Sequence, residues 1–168
     1  MRRRLAIPIF ALLMAVGAQV ELPLGPVPFI LSDFFVLLAG LVLGPRLGGL
    51  STLLYLTVGI LGVPVFADGG AGLTHLAGPT GGYLIGYFAA SVVVGVIAFW
   101  RKPVLVRDAL ATLSGQTVIF AFGLAGLKLE TGMPWAATLE VGLFPFAYPI
   151  AIKFAAAVLA ARLLRPLR

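Results

Sequence analysis

The sequence predicts an all-α membrane protein: six transmembrane helices in one compact bundle, with both termini cytoplasmic. Three observations predict it. Of 168 residues, 61% are hydrophobic and 11% charged, apolar stretches of bilayer length recur along the chain, and the cations gather in alternate loops. A water-soluble domain carries about 25% Asp, Glu, Lys and Arg to cover its surface. This chain, at a mean hydropathy of +1.10, lacks that cover.

The elements follow in order. Leu5 to Val20, after Arg2-Arg3-Arg4, gives a first span that continues past Glu21 toward Leu22. The stretches 47–67, 76–100 and 109–127 hold no Asp, Glu, Lys or Arg, and each is near the roughly 20 residues a bilayer helix needs. Two more spans hold one charge each, Asp33 within 24–45 and Lys153 within 141–161. The resulting spans are 5–22, 26–44, 47–63, 79–100, 109–127 and 141–164. The arginines, apolar run and small residues Gly17 and Ala18 also have the shape of a secretory leader. The inside bias of the downstream loops favours an uncut first span.

Threading six spans puts Arg2, Arg3, Arg4, Arg46, Arg101, Lys102, Arg107, Arg162, Arg165 and Arg168 on one side, ten of the twelve cations. The other side receives Glu21, Asp68, Glu130 and Glu140 with Lys128. That asymmetry is the positive-inside pattern, and it explains the net charge of +6 without nucleic acid as a partner. The lipid bilayer is the partner it implies. Trp100 and Trp135 fall at opposite membrane faces, where aromatic belts form. With no cysteine and a single histidine, His75, the chain offers no disulfide, thiolate cluster or multi-histidine metal site, and no cofactor is implied.

Gly44-Pro45-Arg46-Leu47-Gly48-Gly49 reads as a tight hairpin. The stretch from Gly62 to Gly82 is long, glycine-rich and still apolar. Apolar loop side chains ask for burial and glycine lets backbone approach closely, so it reads as a lid folded into the bundle. The alternative is glycine that merely eases turns and helix crossings.

Pro26-Val27-Pro28-Phe29, Leu37-Leu38-Ala39-Gly40, Leu43-Gly44-Pro45-Arg46-Leu47-Gly48, Gly62-Val63-Pro64-Val65-Phe66-Ala67 and above all Gly78-Pro79-Thr80-Gly81-Gly82-Tyr83-Leu84-Ile85-Gly86-Tyr87 resemble BioY. BioY is the biotin-capturing membrane subunit (S component) of energy-coupling-factor vitamin transporters. The resemblance is close over the first half and looser at Pro145-Phe146 and Lys153. It implies a six-helix protein that binds biotin on the outer side, with a transmembrane coupling subunit and two ATPase subunits as partners. The absence of a G-x-x-x-x-G-K-[ST] loop agrees with that division of labour. Ala11, Ala15 and Ala18 share one helical face. Small residues let another backbone approach, in the bundle or in a partner, and the resemblance points to a docking face.

An ionisable group at the bilayer centre costs about 2.5–3.5 kcal/mol or more, so by default it marks a site. If proline starts helix two near Pro28 and helix six near Pro149, Asp33 and Lys153 lie about 8 and 6 Å inside their helices, at matching depth. A salt bridge or a shared polar ligand would satisfy both. For biotin, Lys153 can donate to the ureido carbonyl or the carboxylate, and Asp33 or Ser32 can accept ureido N–H bonds. Phe29, Tyr55 and Tyr83 supply the apolar wall, with Asp68 and Gly69 closing over it; Gln116 and Thr117 serve either as pocket or as packing. BioY chains usually carry glutamine and threonine where Ser32 and Asp33 stand, and an aspartate where this chain has Ile150. Asp33 is then the acid that replaces the missing one, or the pocket takes a biotin precursor or another small vitamin.

Two other classes fit poorly. An intramembrane enzyme needs several titratable groups converging, and only two lie within the spans. A pore needs a polar helix face, and none is present; a ligand-free scaffold remains as the plain alternative.

Overall fold

The computed structural model describes residues 2–22, 27–100 and 104–164. Helix α1 (Arg2–Gln19) leads through the short antiparallel pair β1 (Glu21–Leu22) and β2 (Phe29–Ile30) into α2 (Ser32–Ile60). Helix two therefore starts at Ser32, later than the proline at 28 suggested, because Phe29 and Ile30 pair with Leu22 and Glu21 instead.

Gly44, at φ 81° and ψ −179°, breaks α2 into limbs 32–43 and 45–60. A Cβ on Gly48 would lie 3.1 Å from the Ala39 carbonyl, whereas nine residues of straight helix would separate the two by about 13 Å. The limbs thus fold back on each other, as the Gly-Pro turn predicts. After α2 come a one-turn 3-10 segment (Ala67–Gly69), α3 (Gly72–Leu76), α4 (Gly81–Phe99) and α5 (Leu105–Thr131). Helix α6 (Trp135–Gly142), a turn at Phe144–Phe146 and α7 (Ala147–Leu163) complete the chain.

The bundle grows by neighbours: α1 on α2, α2 on α4, α4 on α5, and α7 against α2 and α5. Glycines set the crossings. At Gly82 and Gly126, α4 and α5 approach so closely that a Cβ on Gly126 would lie 2.7 Å from the Gly82 Cα. By length and composition α2, taken over both limbs, α4 and α5 are apolar enough to cross a membrane, and the α6–α7 pair, bent by 49°, adds a fourth if it counts as one span. That bend divides the expected span 141–164. Pro145, lacking an N–H, sits at the break.

One expectation is corrected here. Ala18 is fully enclosed, Ala11 is 8% exposed, and Ala15 is packed against the core. Their face is taken up by the start of α2: the N–H of Leu31, just before the helix, donates to Gly17 O, and the Ser32 hydroxyl donates to Met14 O. The outward face of α1 is Leu5, Ile9, Leu12 and Val16.

Candidate functional site

The two charges that the sequence places inside apolar runs meet. Lys153 Nζ on α7 donates to Asp33 Oδ1 at 2.6 Å and to Ile30 O at 2.6 Å, and lies 3.8 Å from the Phe29 ring centroid. Asp33 Oδ1 also accepts from the Phe34 N–H at 2.9 Å, in the first turn of α2, where the helix dipole favours an anion. The pair is almost wholly enclosed, at 5% and 7% exposure. An unpaired charge in such a place would be costly, which is why neither residue could sit there alone.

The pair lines a partly open cavity of about 50 Å³, whose wall includes Phe29, Tyr83, Tyr87, Phe120, Phe146, Ile119 and Gln116. The Tyr83 ring sits edge-on to Phe120, 5.9 Å between centroids, and its hydroxyl donates to Gly142 O at 2.9 Å. Gly123 leaves the space that this ring fills.

Ala67, His75 and Thr80 bring the 62–80 segment onto the same cavity, so the apolar loop is folded in as a lid. Its anchor is Phe66, fully buried over Gly59, edge-on to Tyr55 and stacked on His75 at 5.2 Å. Gln19 Nε2 donates to Phe66 O, and the Asp68 N–H donates to Glu21 Oε2. His75 Nε2 lies 3.3 Å from Thr80 Oγ1. Burial holds the His75 imidazole below its ordinary pKa, favouring the neutral ring.

Of the residues expected at the site, Asp33, Lys153, Phe29 and Tyr83 line the cavity together. Ser32, Tyr55, Asp68 and Gly69 do not. Ser32 pins α2 to α1, Tyr55 supports the lid from beneath, and Asp68, at φ 53°, forms with Gly69 the lid's turn. His75, Thr80 and Tyr87 also line the cavity, though they were not among the expected substrate-binding residues. Tyr87 had a readable signal, four residues after Tyr83 on one helical face. His75 had none, since a glycine-rich loop carries no periodicity.

The fold is that of a multi-pass membrane protein with a cavity whose wall is part ionic and part aromatic. The chain belongs to the BioY family, whose family model matches residues 1–168. It is 43% identical over 157 residues to the Pyrococcus horikoshii protein named "Probable biotin transporter BioY", covering 94% of this chain and 92% of that one. It is 38% identical over 167 residues to the "Biotin transporter BioY" of Thermotoga maritima, covering 99% and 98%. The crystal structure of an S-component for biotin from an ECF-type ABC transporter superposes with a TM-score of 0.90 at 24% identity, over 98% of this chain and 91% of that one. At that identity the likeness establishes a shared fold.

Proposed function

We propose that this chain captures biotin at the outer face of the cytoplasmic membrane, as the substrate-binding subunit of an ATP-driven vitamin transporter. One observation carries the reading: in a BioY-family chain, the enclosed Asp33–Lys153 pair and an aromatic wall face one cavity under a lid. Biotin combines a cyclic urea, an apolar sulfur ring and a carboxylate tail, and this wall offers partners for all three. Asp33 accepts a ureido N–H, Lys153 donates to the guest, and Phe29 and Tyr83 pack on the rings. Ser32, Tyr55, Asp68 and Gly69 act from behind, holding helix start and lid in place.

A cavity of about 50 Å³ has room for only about four waters. A bicyclic vitamin needs more, so capture requires the wall to part around the guest. The chain then spans the membrane six times, the two limbs of α2 counting separately, with both termini cytoplasmic. It is not an enzyme. With no phosphate-binding loop of its own, it draws energy from a transmembrane coupling subunit and two ATPases, and α1 presents Leu5, Ile9, Leu12 and Val16 outward for contact with lipid or partner.

The test is the melting temperature of the purified protein in detergent with biotin, desthiobiotin, thiamine or riboflavin. Biotin at 100 times its Kd adds about 2.7 kcal/mol of stability, and desthiobiotin, which keeps the urea and acid chain, gives a shift of the same kind. Stabilisation by thiamine or riboflavin but not biotin, or by none of them, overturns the reading.

A further inference from the structure

The polar groups on the cavity wall are not equally available. Lys153 spends two donors on Ile30 O and Asp33 Oδ1 and turns toward the Phe29 ring. The Tyr83 hydroxyl is given to Gly142 O, and Thr80 pairs with His75. Gln116 on α5 differs. It lines the cavity, is 7% exposed, and its Nε2 is buried with no hydrogen-bond partner. A buried donor left unmade costs about 1–3 kcal/mol, so a guest that supplies its partner recovers that cost on binding.

The α4–α5 register places a second polar residue of the cavity wall at a similar level. A Cβ on Gly86 would lie 3.1 Å from the Ile119 backbone, and one on Gly115 3.7 Å from the Ala90 carbonyl. In that antiparallel register Tyr87 and Gln116 are offset by about 3 Å along the helix axes. Tyr87 also lines the cavity. A primary amide presents an N–H donor and a C=O acceptor together. The edge of a cyclic urea, an N–H next to a C=O, is its two-point complement.

Building on the biotin reading above, we infer that Gln116, assisted by the Tyr87 hydroxyl, reads the carbonyl edge of the guest's cyclic urea and so sets which vitamins the cavity accepts. The Asp33–Lys153 pair then supplies charge and shape at the neighbouring wall, while the neutral amide supplies the discrimination.

The experiment is a cycle of two proteins and three ligands. Wild type and Gln116→Leu are titrated at one pH by calorimetry with biotin, with 2-iminobiotin, whose ureido oxygen is replaced, and with biotin methyl ester, whose carboxylate is masked. The leucine protein is expected to bind biotin about tenfold more weakly. It also loses most of the wild-type preference for biotin over 2-iminobiotin, yet keeps the wild-type ratio of biotin to ester. Gln116→Asn, which withdraws the amide by one methylene, gives the same pattern and serves if leucine prevents folding. An unchanged biotin to 2-iminobiotin ratio, or undiminished biotin affinity, refutes the role of Gln116. Failure of the wild type to bind biotin at all refutes instead the reading on which it rests.

Discussion

Replacing Lys153 by methionine removes the one cation that the described residues place on the cavity wall and leaves Asp33 enclosed with the Phe34 N–H as its remaining described partner. At 2.6 Å and an effective dielectric near 20, the lost attraction is about 6 kcal/mol, set against a desolvation cost of several kcal/mol for each ion. The pair is therefore close to break-even, but a single partner is not: breaking a buried pair costs about 3–5 kcal/mol. For a chain of this size that lowers the melting temperature by about 6–20 °C. Asp33→Asn, which strands the lysine, should fall similarly. The double protein Asp33→Asn, Lys153→Met should regain most of the loss, because neither charge is left alone. Melting curves in detergent read stability, and calorimetric titration of the same three proteins reads biotin binding. All three should bind biotin at least tenfold more weakly than the parent. If the single variants melt normally, the pair does not hold the bundle as argued. If all three bind biotin as tightly as the parent, the pair is structural and takes no part in recognition.

Two further outcomes follow from packing and titration. Gly126→Val forces apart the backbones that meet at Gly82; overpacking of this kind costs about 1–3 kcal/mol, a fall of about 2–12 °C in melting temperature, and an unchanged curve would show that α4 and α5 do not cross there. Burial lowers the His75 pKa below 6.5, so just below that value the unfolded chain holds more protons than the folded one, and stability rises with pH across this window. The lid's contribution should be complete above about pH 6.5 and lost as pH falls through the lowered value. His75→Gln should flatten the slope between pH 7.5 and 5, and an identical acid loss in that variant would assign the effect elsewhere.

Much of the architecture was legible from composition alone, because a chain with so few charges can hide its backbone only in helices within lipid. Asp33 and Lys153 stood out for the same reason: an ion inside an apolar run is intolerable unless something pairs it. The Gly44-Pro45 turn was equally readable, since few sequences other than glycine followed by proline reverse a helix so sharply. The finer placement was not. Ser32 and Asp33 are adjacent in the chain, yet one faces α1 and the other the cavity, because successive helical residues diverge by about 100°.

Sequence by itself determined the class of protein, the helical runs and the two charges that had to find each other. Tertiary structure decided who stands around them. It turned Ala11 and Ala18 inward, put Tyr55 beneath the lid rather than in the wall, and brought His75, Tyr87 and Gln116 to one cavity from three separate elements. The physical reason is that apolar side chains in a membrane bundle carry no record of which neighbour they will meet; only the close glycine crossings and the fold-back of the lid fix the direction each one faces.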